Sequence, residues 1–262
     1  MILLPKHPKI IEKKENFAVF EIEALSPGYG ITIGNALRRA LFSSLEGTAI
    51  SMVKIKGITH EFSTLPNVME DIVELTLNLK QVRFKYFTQD FPQKAELKVK
   101  GEKEVRAKDI KVPASLEVAN PEQFIATITD KKGELEMEIW IEKGIGYEPV
   151  EQRKKEGLVV GTIPLDVIFS PISKANFRVE NMRVGDRTDF NRLFVEIETD
   201  GTIAPESAFL KASEVLVKHF QILQELPFEK KSKKVSPQKP KVKAGEKKKV
   251  KKSKKVKKSK KI

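Results

Sequence analysis

The sequence predicts an α+β fold, and three observations carry that prediction. Segments of apolar/polar alternation dominate the middle of the chain, two helices with unusually wide apolar faces stand near its two ends, and a lysine run closes it. Alternation with period two sends one row of side chains into a core and the other into water, as in a half-buried antiparallel strand. With 262 residues, 40% of them hydrophobic, the chain can bury more than one core.

From Asn16 to Ala24 the residues Phe20, Ile22 and Ala24 alternate with Glu21 and Glu23, which predicts a strand. It leads into Gly28, Gly30 and Gly34, which free the backbone for a sharp turn, while Thr32 offers an oxygen to the amides that follow. A helix is expected from Gly34 to Glu46, ended by Gly47 in a left-handed conformation. On it Ile33, Ala36, Leu37, Ala40, Leu41 and Leu45 share one half of the circumference, and Asn35, Arg39, Phe42, Ser43 and Glu46 the other. A phenylalanine on that wet side reads either as a ring folded over the core edge beside a solvated Arg39, or as half of an interface anchor. Composition alone favours the first. The G-x-G-x-x-x-G spacing here is one residue longer than a dinucleotide-binding turn needs, and no acidic strand end follows to hold a ribose.

Further along, Val53 and Ile55 alternate with Lys54 and Lys56 in a strand from Ile50 to Lys56. Pro66 is placed to open a second helix, with Val68, Ile72, Leu75, Leu79 and Val82 at helical spacing and Glu70 and Asp71 near its positive end. Residues 84–142 form period-two segments: Leu135, Met137, Ile139 and Ile141 against glutamates, and Ala95, Leu97 and Val99 against charged neighbours. With a turn at Asp130 to Gly133, they predict a separate antiparallel β-rich unit. Gly146 to Gly157 is polar enough to be an exposed loop. Strand patterns resume at Leu158 and include Leu193, Val195 and Ile197. The last helix opens at Pro205, carries Ala208, Phe209, Ala212, Val215, Leu216, His219, Phe220, Leu223 and Leu226, and is stopped by Pro227. Two faces this wide cover a sheet and still leave apolar surface for a partner.

The net charge of +13 is unevenly distributed. Glu229 to Ile262 holds 18 lysines and two glutamates, so this segment carries +16 and the other 228 residues −3. A self-repelling stretch with so few apolar groups cannot offset its chain entropy by burial, so a disordered tail is expected from 229 to 262. The absence of cysteine excludes disulfides and thiolate chemistry. His7, His60 and His219 lack ligand spacing, and no cofactor, metal or small-molecule substrate is expected. Ile2, Leu3 and Leu4 are too few for a secretory segment, and no run approaches the roughly 20 apolar residues of a membrane span. A soluble cytoplasmic protein follows as the expectation.

The run GYGITIGNALRRALFSSLEG, Gly28 to Gly47, resembles the first helix of the α subunit of bacterial and plastid RNA polymerase. In the same order follow HEFSTLPNVMEDIVELTLNLK (60–80), NPEQFIATIT (120–129), EKGIGYEP (142–149), IPLDVIFSPI (163–172), FRVENMRVGDRTDF (177–190) and ETDGTIAPESA (198–208). The resemblance implies a discontinuous dimerisation domain from residues 1–51 and 174–228, an antiparallel sheet carrying two long helices, with a β-rich domain of residues 52–173 inserted. It implies a homodimer that recruits the β and β′ subunits, in a bacterial cytoplasm or nucleoid or a plastid stroma. The dimer seam would draw on Leu37, Leu41, Phe209, Ala212, Leu216, Phe220 and Leu223. Arg38, Arg39 and Phe42 fall in the helix used for the large-subunit contact, and Lys80 matches a second such position, a solvated lysine being the plain alternative.

Two departures from that family pattern stand out. Ala204 replaces the usual capping residue before the closing helix, a loss of about 1 kcal/mol unless Thr202 or solvent takes over the amides. The lysine tail stands where the family usually has a small DNA-binding domain. Lys247, Lys248, Lys251, Lys254, Lys257 and Lys260 would neutralise phosphates there without reading bases. Asp186 and Asp189 are the nearest thing to a catalytic carboxylate pair, but Arg187 and Arg192 are interleaved to neutralise them. In the family it resembles, the catalytic aspartates belong to the largest subunit, so the resemblance implies a part of a nucleotidyltransferase that does not carry its active site. The competing class is a free basic-tailed nucleic-acid-binding protein, histone-like or ribosome-associated, against which the acidic body argues.

Overall fold

The computed structural model describes residues 4–153 and 161–225. The chain runs through β1 (Lys9–Lys13), β2 (Phe17–Leu25), α1 (Tyr29–Ser44), β3 (Glu46–Ile55), α2 (Ile72–Leu79), β4 (Phe84–Tyr86), β5 (Gln93–Lys100) and β6 (Lys103–Arg106). It continues through β7 (Ile110–Lys111), β8 (Leu116–Val118), β9 (Phe124–Ile128), β10 (Glu134–Ile145), β11 (Tyr147–Glu148), β12 (Thr162–Pro164), β13 (Val167–Ile168), β14 (Ile172–Val184), β15 (Arg187–Thr199) and α3 (Pro205–Gln224). Two antiparallel sheets dominate, one in the order β1-β2-β15-β14 and the other β12-β3-β10-β5-β7. The class is α+β.

The first sheet joins strands from the two ends of the chain, with Leu193, Val195 and Ile197 of β15 opposite Ile22, Phe20 and Ala18 of β2. Its inward row, with Leu37 and Leu41 of α1 and Ala208, Phe209 and Ala212 of α3, makes one core. The Phe20 and Phe209 rings stack with centroids 4.5 Å apart. The second sheet buries Leu135, Met137, Ile139 and Ile141 of β10 with Ala95, Leu97 and Val99 of β5, as their alternation predicts. Ile72, Leu75 and Leu79 of α2 close that second core. The turn is also in place, Gly133 N donating to Asp130 O at 2.9 Å.

Helix α1 begins five residues earlier than expected, at Tyr29, with Gly28 (φ 84°) as its left-handed N-cap. Gly30 and Gly34 are therefore helical, and their role is close approach. A Cβ on Gly34 would lie 2.5 Å from the Phe177 ring and 2.9 Å from Leu193 Cδ1, so only glycine lets the helix lie flush on the sheet. Thr32 makes no cap; its hydroxyl donates back to Gly28 O at 3.3 Å. Gly47 does not end the helix either. It is buried in β3 opposite Gly144, where a Cβ would meet the Phe169 carbonyl oxygen at 1.9 Å. Gly34→Ala should lower stability by about 1–3 kcal/mol through this overpacking. A denaturant midpoint equal to that of the unaltered chain would contradict the flush packing.

Helix α2 is half the expected length. The segment after Pro66 pairs instead with β9, Met69 N donating to Thr127 O at 3.0 Å and Thr129 N to Asn67 O at 2.9 Å. Helix can start only once that backbone is released, and Asp71 caps it by accepting from Glu74 N at 2.7 Å. Glu70 is buried and accepts from Thr127 N at 2.6 Å, so it serves the sheet, not the helix end. The loop expected from Gly146 is tied down in its first half by β11 and by Arg153, which pairs with Glu142 and donates to Ser51 O at 3.2 Å. Leu158, Leu226, Pro227 and the whole of 229–262 lie outside the described residues.

Candidate functional site

The outer side of α1 is the most distinctive surface of the first sheet's layer. Starting the helix at Tyr29 adds a turn, and Ile31, Asn35, Arg38, Arg39 and Phe42 then point to one side at helical spacing. Ile31 is 62% exposed and Phe42 40%, so the ring does not fold over the core edge. Arg38 is partly engaged, donating to Asn35 Oδ1 at 3.3 Å with its guanidinium 5.7 Å from the Phe177 ring centroid. Arg39 is exposed and pairs with no carboxylate among the described residues. A weakly hydrated guanidinium between two exposed apolar side chains is suited to protein contact. Ile31 escaped the sequence reading because the helix was expected to begin after it.

The start of α1 is held from outside. No side chain within the helix caps it, and its first turn has no acidic residue. Asn191, 8% exposed on β15, accepts from Gly28 N at 2.9 Å and from Gly30 N at 3.4 Å. Nothing in the local sequence signals this tie, because donor and acceptor are 163 residues apart.

The residues expected at a dimer seam divide by burial. Leu37, Leu41 and Ala212 are 4% exposed or less, and Phe209 8%, so all four belong to the chain's own core and are not available to a second copy. Leu216 is half-buried against the same core. Phe220 and Leu223 continue the stripe of Phe209, Ala212 and Leu216 but are 59% and 61% exposed. The reason is geometric: α3 runs 20 residues, about 30 Å, and its second half has no cover among the described residues. At its other end Ala204 offers no cap, and Thr202 does not replace one, since its amide and hydroxyl both donate to Asp200 Oδ1 at 3.0 and 2.5 Å. Glu206 in the first turn pairs with Lys13 of β1, and that lysine holds its carboxyl below the usual range.

Lys80 is paired and only partly exposed. Its Nζ lies 3.3 Å from Asp166 Oδ2, whose other oxygen accepts from Val150 N at 3.1 Å. The Val150 amide first, and Lys80 after it, keep the Asp166 carboxyl below its ordinary value. Asp189 is clasped by Arg187 through contacts of 3.0 and 2.6 Å, whereas Arg192 turns to Glu21 and Glu23 at 3.3 and 3.2 Å. Asp186 is fully exposed, with Arg183 3.9 Å away. Among the described residues no cluster of carboxylates or imidazoles is placed to hold a metal ion, and no helix is long and apolar enough to cross a membrane. The lysines from Lys247 to Lys260 lie outside the described residues.

Comparison with known proteins places these features in context. Residues 53–170 match the family model described as the RNA polymerase Rpb3/RpoA insert domain. The chain is 46% identical over 222 residues to the DNA-directed RNA polymerase subunit alpha of Roseiflexus castenholzii, covering 85% of this chain and 68% of the relative. It is also 46% identical over 219 residues to the protein of the same name from Aquifex aeolicus, covering 84% and 69%.

Proposed function

The chain belongs to the α-subunit family of DNA-directed RNA polymerase, and on that premise we propose that it is a homodimeric assembly scaffold recruiting β through one protomer and β′ through the other. The observation that carries this reading is the outer face of α1, where Arg39 stands unpaired among the described residues between the exposed Ile31 and Phe42. An arginine flanked by apolar groups and solvated in the isolated chain is ready to be desolvated by a partner. Lys80 is a weaker candidate for the same role, because its bond to Asp166 must be broken or shared.

On this reading residues 1–51 and 174–228 are the dimerisation domain, 52–173 the insert and 229–262 a tail. The two larger hydrophobic cores and the family match over 53–170 support two such units, but not these bounds: β3 pairs with β10 from Glu46 and Ile50 sits in the second core, while Ile172 pairs with Thr199 and sits in the first, so the units change over near residues 45 and 171. Catalysis is assigned to the large subunits and the whole assembly to the cytoplasm. The tail, with its 18 lysines, is assigned sequence-independent contact with DNA. Purification of the tagged full chain at native level, with nuclease treatment, tests the whole reading. Two copurifying chains several-fold larger than this one are expected. Recovery of nucleic acid alone, lost on nuclease treatment, would replace the scaffold with a free basic-tailed nucleic-acid-binding protein.

A further inference from the structure

We propose that Asn191 is a positioning residue for large-subunit recognition: by holding the first turn of α1 it presents Ile31 on the contact face. The inference rests on the assignment of that face under the proposed function. Asn191 sits where three elements meet, opposite Leu25 of β2 and Asn181 of β14. Its Oδ1 takes the amides of Gly28 and Gly30, at 2.9 and 3.4 Å, and its Nδ2 donates to Asn181 Oδ1 at 3.4 Å. The carboxamide therefore joins the helix start to both strands of the β14–β15 hairpin.

Apart from the close seat of buried Gly30 against Val179, the first turn has little else to hold it. Gly30 is a poor helix former, the N-cap Gly28 has no side chain, and no acidic residue complements the helix dipole. Tyr29 and Ile31 are 43% and 62% exposed, so neither anchors the turn by packing. Without the Asn191 oxygen the exposed Gly28 amide and the buried Gly30 amide lose their acceptor, and the turn that carries Ile31 frays. The rest of α1, from Gly34 onward, stays seated through Leu37 and Leu41. Arg39 and Phe42 keep their places while Ile31 loses its own.

The test measures binding of purified β subunit to the full-length chain, together with amide exchange along α1. Asn191→Leu, nearly isosteric but without an acceptor, is expected to accelerate exchange at residues 28–31 and weaken binding about tenfold. Asn191→Asp keeps the acceptor and should restore both. Ile31→Ala should weaken binding to a similar extent, and Asn191→Leu added to it should weaken it no further, because the two changes remove the same contact. If Asn191→Leu does not fold, Asn191→Ser, too short to reach Gly28, takes its place in the cycle. Full additivity of the two changes, failure of Asn191→Asp to restore binding, or normal binding by Asn191→Leu beside a weakened Ile31→Ala would overturn the proposal. If Ile31→Ala and Arg39→Ala both bind normally, the assignment of the face fails and this inference with it. Faster exchange at residues 28–31 would then record the Asn191 tie as purely structural.

Discussion

A chain carrying Phe220→Glu together with Leu223→Glu will sediment as a monomer and keep its cooperative thermal transition. The apolar stripe of α3 is continuous at helical spacing from Phe209 through Ala212 and Leu216 to Phe220 and Leu223, yet only its first half is covered by the chain's own sheet and α1. The second half is proposed to be covered by a second copy across a two-fold axis, where each residue counts twice. Full burial of a Phe or Leu side chain is worth about 2 kcal/mol, and Phe220 and Leu223 are 59% and 61% exposed, so covering four such groups contributes roughly 5 kcal/mol, on the order of a thousandfold or more in affinity. Glutamates there replace that gain with desolvated charge. Phe209→Glu serves as the contrasting variant. Its ring is stacked on Phe20 inside the core, so it should unfold the chain instead of dissociating it. An unaltered dimer for the Phe220/Leu223 pair would remove α3 from the seam.

Arg39→Ala should leave both the dimer and the thermal transition nearly unchanged while weakening capture of the β subunit at least thirtyfold, about 2 kcal/mol. The expectation that stability survives follows from the environment of the side chain. Arg39 makes no ion pair among the described residues, and its carbonyl, which accepts from Ser43 Oγ at 2.8 Å, is untouched by truncation. Arg38→Ala should cost less in capture and more in stability, because Arg38 is already engaged with Asn35 and near the Phe177 ring. If Arg39→Ala lowers the unfolding temperature by several degrees and leaves capture intact, the residue has a structural role and the face is misassigned.

Much of this was legible in the residues. Strict alternation marked β2, β5, β10 and β15 and their buried rows, because a half-buried strand admits few other patterns. The wet side of α1 and the position of α3 followed from helical periodicity in the same way. Periodicity reports which side of an element is apolar, but not how far along that side the chain's own cover extends. Leu37, Leu41, Phe209 and Ala212 therefore looked like seam residues on equal terms with Phe220 and Leu223.

The boundaries were lost for a related reason. Gly30 and Gly34 read as a hinge because their role, close approach of Gly30 to Val179 and Asn191 and of Gly34 to Phe177 and Leu193, depends on strands far away in sequence. The segment after Pro66 read as helix because its bonds to β9 are made by backbone atoms common to any sequence. The class, the buried rows and the outward Arg39 could be read from the residues, because each depends on side-chain chemistry repeating at a local period; Arg38 joined that face only through the family resemblance. Where each helix starts, how much of each apolar face is left uncovered, and the grip of Asn191 on Gly28 emerge only in the folded chain, because they depend on contacts between residues that folding brings together.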